Sequence, residues 1–402
     1  MHLQSCLQQV YKIVPPMAME RRPQLVLDRS LRWNDVYREA ELYKAVVRVY
    51  TKPLFHWRKA LSTSTDGKTL YDLAAPGLRG LDAIHKSLRQ SNFQFRPAVA
   101  LKYNFNGKHR TLYISPWEER IVDLLLYRIL TRKLHTWFST NSYAYRDRVY
   151  CLDRCQTRIA RLLRSTTAPL YMVKRDISNY FPSIDHELLL DKLSALINRD
   201  DYLFRLLEQR VRFAYRDEAG DHRATGGIPF GSAVACLLAN IYLTGLDREI
   251  EKIAGLEYFR YADDILILSP ERDVAIRARE ILDQGLAQLR LQIKSSHQAD
   301  LFVTTKPVAG LNFEPFAAAQ EFRHLGLLFR AGGNVALSRD KRRKIQNLFR
   351  YAFRRGRRRV MKLADPKVRA QAVVAIAAEA AGKGLRNVAI HDYYLRHVED
   401  EV

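Results

Sequence analysis

The sequence predicts an α+β fold, and three observations carry that reading. Long stretches place apolar residues at helical spacing, two segments alternate like hairpin strands around tight turns, and no regular strand–helix–strand repeat connects them. A chain of 402 residues, 47% of them hydrophobic, has material for two to three structural units and a sizeable core.

The elements follow in order. Ser30 to Lys59 has helical spacing and many aromatic and basic residues, so residues 1–60 are expected to form an N-terminal helical extension. Ser62 to Gly67 is a polar loop, and Gly80 to Gln90 reads as a helix. Val99 to Phe105 and Arg110 to Ile114 flank Asn106-Gly107, a strong hairpin signal because those residues tolerate the positive φ of a tight turn. Pro116 opens a helix to about Leu134. Tyr171 to Ile177 is a short apolar strand carrying Asp176, and Pro182 to Asp185 caps a helix from His186 onward. The loop Gly226-Gly227-Ile228-Pro229-Phe230-Gly231-Ser232 feeds a helix that continues to about Glu251. Leu256 to Leu268 reads as a second hairpin with Ala262-Asp263 at its tip, and Asp273 to Leu291 as a helix. Glu321 to Phe329 and Asn334 to Leu337 are short strands or turns. From Ser338 onward the pattern is helical, with Val373 to Ala381 expected to be buried.

Charge narrows the function. There are 66 Lys+Arg against 43 Asp+Glu, a net charge of +23, and the default partner for such a balance is nucleic acid. Arg339 to Arg359 holds eleven Lys and Arg, with Ile345, Leu348, Phe349 and Ala352 forming an apolar stripe between them. That pattern suits a helix packed on one side and facing nucleic-acid backbone on the other, with Arg339, Arg343, Arg354, Arg355 and Arg358 as candidate contacts. The four cysteines, Cys6, Cys151, Cys155 and Cys236, form no disulfide framework or zinc pattern and fit a reducing compartment. No run approaches a membrane span and no signal-peptide core opens the chain, so a cytoplasmic protein without a membrane partner is expected, with Met17 and Met19 as alternative starts. The oligomeric state is left open.

Two segments carry the chemistry. Asp176 ends one apolar strand, while Asp263-Asp264 interrupts the apolar run Tyr258 to Leu268. Turn aspartates are common, but here apolar residues on both sides put the acids at the edge of a buried sheet. Clustered carboxylates there repel one another and lose hydration, so they call for a cation. Magnesium takes oxygen ligands and keeps positions for water and phosphate. Nucleotidyl transfer uses two such ions about 3.5–4 Å apart, one activating a 3′-hydroxyl and one holding a triphosphate. Asp176 and Asp263 could bridge both, with Asp264 and the backbone carbonyl of Ile177 as further ligands, and Mn²⁺ could substitute for Mg²⁺.

These motifs resemble those of the prokaryotic reverse transcriptases over roughly Val99 to Phe329. Tyr261-Ala262-Asp263-Asp264 matches the YxDD hairpin, and Asp176 with Phe181 matches the first palm motif. Gly226 to Gly231 with Leu238-Ala239-Asn240-Ile241-Tyr242 is similar to the GTPQG…LANIYL motif of intron and retron enzymes. Ser142-Tyr143-Ala144-Tyr145-Arg146 resembles SYGFR, and Phe322-Arg323-His324-Leu325-Gly326 resembles the FLG primer-grip turn.

The resemblance implies a right-hand polymerase: fingers over 61–165, palm over 166–334 with a fingers-like insertion at about 187–225, and a basic helical thumb over 335–402. Phe181 would stack beneath the incoming sugar and favour deoxynucleotides. Lys102, Lys108 and Arg110 are candidates for gripping the triphosphate, Lys294 for the leaving pyrophosphate, and Arg146 for nucleic acid. Phe230 stands where family members usually carry Gln, which puts base selection in question. Diversity-generating enzymes also replace that Gln, yet they carry Ser-Gln where this chain has Ala235-Cys236. The expected activity is cDNA synthesis from dNTPs on an RNA template. A stand-alone enzyme with no endonuclease or RNase H signature looks like the defence-associated bacterial groups, with a dedicated structured noncoding RNA. The alternatives are a retron or diversity-generating enzyme, template-independent or protein-primed DNA synthesis, and a non-catalytic maturase-like RNA binder.

Overall fold

The computed structural model describes residues 31–51, 63–74, 79–105, 108–146, 150–166, 168–305 and 314–387. The strands in chain order are β1 (Ala98–Phe105), β2 (Lys108–Ile114), β3 (Leu170–Asp176), β4 (Ala214–Asp217), β5 (Gly220–Arg223) and β6 (Glu257–Tyr261). They continue with β7 (Asp264–Ser269), β8 (Ala299–Val303), β9 (Ala317–Ala319), β10 (Glu321–His324), β11 (Leu327–Arg330) and β12 (Val335–Leu337). Three sheets result, with strand orders β2-β1-β4-β5, β6-β7-β3-β8-β9 and β10-β11-β12.

The five-stranded sheet positions the acids. β3 lies at its centre, antiparallel to β7 on one side and β8 on the other. Successive side chains of a strand face opposite ways, so an apolar run without polar alternation needs cover on both faces. Val173, Ile265 and Ile267 pack with residues of the helices Ala233–Glu251 and Arg272–Gln288. Leu170, Met172, Leu266 and Leu268 pack instead with Ile159 and Leu163 of the helix Leu152–Ser165 and with Phe322, Leu327 and Phe329 of the small sheet. Arg175 is buried in this sheet and is held by Asp283 at 2.8 Å and Asp300 at 2.7 Å, which satisfies a charge that burial alone would penalise.

The other regions follow the expected order with differences. The N-terminal helical stretch is split into Trp33–Val36 and Glu39–Thr51. The buried Trp33 ties it down, its backbone N–H donating to Asp201 at 3.0 Å and its Nε1 to the Leu88 carbonyl at 3.2 Å. The tip of the first hairpin, Asn106-Gly107, and the first thirty residues lie outside the described residues. The basic stretch forms the helix Arg339–Val360, which packs against the helix Pro366–Asn387, and Gly356 leaves room for Ile376 between them. The expectation of a buried helix at Val373 to Ala381 is corrected: Val373 and Val374 are 38% and 64% exposed, because this helix has a neighbour along one side and solvent along the other. Among the described residues no helix is long and apolar enough to cross a membrane.

Candidate active site

The acids meet where β3 and β7 end together. Asp176 stands directly across from Asp264, and the two-residue turn Ala262-Asp263 joins β6 to β7. Ala262 adopts φ 57°, a left-handed conformation that costs a residue with a side chain about 1 kcal/mol or more, so something else must hold the turn. Arg260 does. Its fully buried guanidinium donates to the Ala262 carbonyl at 3.2 Å, to Asp247 at 2.6 and 2.7 Å, and to Asn240 Oδ1 at 3.2 Å. Tyr258 completes the set with a 2.7 Å bond to Asp247, and Asn240 Nδ2 reaches the Ala144 carbonyl at 2.8 Å. The strand end is stitched on both sides: Ile177 N–H donates to the Asp263 carbonyl at 3.1 Å and Lys294 N–H to the Asp176 carbonyl at 2.8 Å.

The electrostatics are those of a crowded acidic edge. Burial, and then the neighbouring carboxylates Asp176 and Asp264, push the Asp263 carboxyl up to about 6. Burial and Asp264 raise Asp176, against the pull of Lys294, His297 and Lys174. For Asp264 burial works upward too, but His324, Lys174 and His297 outweigh it and hold the carboxyl below the usual range. Its Oδ1 lies 3.3 Å from His324 Nδ1 and 3.7 Å from Lys174 Nζ. Among the described residues no three His, Cys, Asp or Glu side chains converge as a preformed metal cage. The oxygens of Asp176 and Asp263 instead form an open, mutually repelling set.

Beside the acids is an aromatic pocket. The Phe181 ring meets the Phe230 ring edge to face at 5.4 Å and the Tyr145 ring at 6.1 Å. Arg110 sits 5.7 Å from the Phe230 centroid and is close enough to Asp263 to lower its carboxyl. Two glycines permit this packing. At Gly227, with φ 75°, a Cβ would lie 2.9 Å from the Pro182 backbone; at Gly231, with φ 115°, it would lie 2.7 Å from Leu112. Phe230 is thereby seated on the first hairpin, with the Tyr113 N–H bonded to its carbonyl at 2.9 Å.

Arg110 and the half-buried Lys294 are thus brought to the acids, but Lys102 is not. Lys102 pairs with Thr111 while Arg110 pairs with Tyr103, so strand alternation puts Lys102 on the opposite face from Arg110, near Asp217. Arg146, expected to contact nucleic acid, is part-buried with its donors turned to protein carbonyls. Its guanidinium donates to the carbonyls of Ser139 (2.5 Å), His135 (2.7 Å) and Ser142 (3.1 Å) and stacks 3.6 Å from the Tyr150 centroid. It braces the loop that presents Tyr145. Lys108 lies in β2 opposite Phe105, and its side chain, like that of Arg355, is outside the described set. Arg339, Arg343, Arg354 and Arg358 are exposed along the basic helix.

Residues 100–327, more than half of the chain, match the family described as reverse transcriptase (RNA-dependent DNA polymerase), and the chain belongs to that family. It is 25% identical to the retron Ec83 reverse transcriptase of Escherichia coli, covering 56% of this chain and 66% of that protein. It is 26% identical to the group II intron-encoded protein LtrA of Lactococcus lactis subsp. cremoris, covering 41% of this chain and 27% of that protein. It is likewise 26% identical to the putative COX1/OXI3 intron 1 protein of Saccharomyces cerevisiae, covering 48% and 23%. The chain therefore spans about a quarter of the length of the intron proteins. A telomerase structure from Candida tropicalis aligns with 77% of this chain and 55% of its own, at TM-score 0.49 and 11% identity.

Three functional-site residues escaped the sequence reading: Arg260, Asp247 and His324. Arg260 did carry a signal, a lone arginine inside an apolar strand that is stable buried only with an acid beside it, whereas Asp247 sits in the charged run Asp247-Arg248-Glu249 and carries none.

Proposed function

We propose that the chain is an RNA-directed DNA polymerase that extends a primer with deoxynucleotides on an RNA template. The observation that supports it most is the pair of part-buried carboxyls, Asp176 at the end of β3 and Asp263 in the β6–β7 turn, brought together so that both resist ionisation without a cation. An open set of hard oxygens fits magnesium, or manganese in its place. Asp176, Asp263 and the Ile177 carbonyl would hold two such ions, with Asp264 behind them. When bound, the ions supply activation of the primer hydroxyl and charge neutralisation on the triphosphate.

The chain's own residues supply position. Arg110 and Lys294 place positive charge on either side of the acids, where a triphosphate and its leaving group carry negative charge. Phe181, braced by Phe230 and Tyr145, presents a rigid ring on which a deoxyribose rests and against which a 2′-hydroxyl clashes. The exposed arginines of the basic helix suit an RNA–DNA duplex backbone. On this reading residues 61–165 serve as fingers, 166–334 as palm and 335–402 as thumb.

The finer reading is a bacterial antiphage enzyme working with a dedicated structured noncoding RNA. Its support is the dense basic helix and the relation to a retron reverse transcriptase. The chemistry is tested with labelled dNTPs, Mg²⁺ and primed RNA: incorporation that requires both template and primer is expected. Incorporation without RNA would move the assignment to template-independent synthesis, and none under any condition would move it to RNA binding alone. Sequencing RNA that co-purifies with the chain tests the partner; one abundant structured species is expected, and intron or random cellular RNA would overturn it.

A further inference from the structure

The β10–β11 hairpin end meets its neighbours at three points, two on the five-stranded sheet (Lys174 and Asp264) and one on the helix Leu152–Ser165. Lys174 Nζ donates to the Arg323 carbonyl at 2.9 Å, and Gln156 Nε2 donates to the Leu325 carbonyl at 3.1 Å. The third point is His324, 1% exposed, whose Nδ1 faces Asp264 Oδ1 at 3.3 Å. Lys174 approaches the same oxygen at 3.7 Å, so one lysine touches both the acid and the turn. The surroundings are apolar: Phe322, Leu327 and Leu266 belong to the core on this face. An aliphatic side chain would meet the needs of packing there, whereas a buried imidazole costs desolvation unless its nitrogen has work to do.

Resting on the polymerase reading above, we infer that His324 is a positioning residue. With Lys174 it ties Asp264, and through the adjoining peptide Asp263, to the β10–β11 turn. The catalytic turn and this second turn then approach the reacting ends as one unit. Asp264 is a strut whose buried Oδ1 faces the charges of His324 and Lys174, and it differs in role from Asp176 and Asp263. His324 does not touch the reacting atoms; it fixes where they are met.

The test separates the imidazole's polar contact from its bulk. His324→Leu keeps an apolar filling and loses the contact; His324→Asn places an amide nitrogen near the position of Nδ1 and loses bulk. In single-nucleotide incorporation, His324→Leu is expected to lower kcat about 10–100-fold, the loss typical of removing an orienting partner. KM for dNTP should stay within about 2-fold, because nucleotide contacts are untouched. His324→Asn should recover most of the loss. An Asn variant no better than Leu, or a Leu variant equal to wild type, would overturn the inference. If His324→Leu does not fold, Lys174→Met cuts the same link from the sheet, and kcat within about 2-fold of wild type would count equally against it. A second readout needs neither metal nor activity. Melting midpoints in chelator for His324→Leu, Asp264→Asn and the double variant should be non-additive, and additive midpoints would refute the contact. A wild-type chain inactive on every template would defeat the polymerase reading alone, since the cycle in chelator still reports on the link.

Discussion

The acidic edge of the five-stranded sheet and the basic helix Arg339–Val360 hold charge in opposite ways. At the sheet, three carboxylates are packed against apolar strands, and each is placed by named partners: the Arg260 network behind the turn, Lys294 beside Asp176, His324 and Lys174 beside Asp264. On the helix, Arg339, Arg343, Arg354 and Arg358 reach into solvent. Electrostatic energy rises as the local dielectric falls, so the same unit of charge is worth far more in the first setting. On the polymerase reading proposed above, chemistry would rest on few, fixed charges and grip on many, interchangeable ones.

The sharpest way to break the comparison is at the acids. Asp263→Ala or Asp176→Ala is expected to lower single-nucleotide incorporation by about 10³-fold or more, since either change removes an oxygen shared by both proposed ions. Far-UV circular dichroism should be unchanged. A variant with near-native incorporation would show that the edge is only structural.

The next effect falls one layer back. Arg260 and Asp247 have fully buried side chains 2.6 Å apart, and removing one strands the other's charge. Asp247→Ala should destabilise the chain by about 3–5 kcal/mol in denaturant titration. It should also slow incorporation, because the Ala262 turn loses its brace. A loss under 1 kcal/mol would mean the turn holds itself.

The legible and illegible parts of the site divide along the same line. Asp176 and Asp263-Asp264 could be read because polar residues stand out in apolar strands, and strand β3 and hairpin β6–β7 fell where expected. Helix bounds were close too: Trp117–Lys133 and Ala233–Glu251 follow Pro116 and the glycine-rich loop that were expected to open them. What could not be read depended on tertiary partners. Lys102 and Arg110 look alike in sequence, but pairing register alone sends them to opposite faces. Arg146 carries a charge that suits nucleic acid, yet three backbone carbonyls take its donors. Val373 and Val374 have a core-like composition, but their helix packs along one side. His324 lies some 60 residues from Asp264 (324 against 264), a pairing that no local pattern encodes.

A smaller effect sharpens the electrostatic claim itself. Burial and the neighbouring carboxylates push the Asp263 carboxyl up to about 6, against an ordinary value near 4. Between those values the folded state binds more protons than the unfolded one, so stability falls as pH rises through about 4 to 6 and then levels. In chelator, wild type should lose up to about 2 kcal/mol relative to Asp263→Asn across that window, the full shift being reduced by partial exposure. Melting midpoints of both proteins from pH 4.5 to 7.5 would check it, and parallel curves would refute the crowding. Added Mg²⁺ should offset the loss above pH 6, where the carboxyl is ionised.

The smallest effects belong to the basic helix, and their smallness is the prediction. Arg354→Ala or Arg358→Ala should weaken binding to an RNA–DNA duplex by no more than about 1 kcal/mol each at physiological salt. Each should lower the slope of log affinity against log salt by about one, the mark of one lost phosphate contact. Losses at Arg339 and Arg358, at opposite ends of the helix, should add, since exposed charges that far apart share no partner. Incorporation at saturating duplex should stay unchanged. If one of these arginines instead proved as costly as Asp263, with no change in salt slope, it would have to be a fixed, desolvated contact like those of the sheet. The division between placed charge and interchangeable charge would then fail on the helix itself.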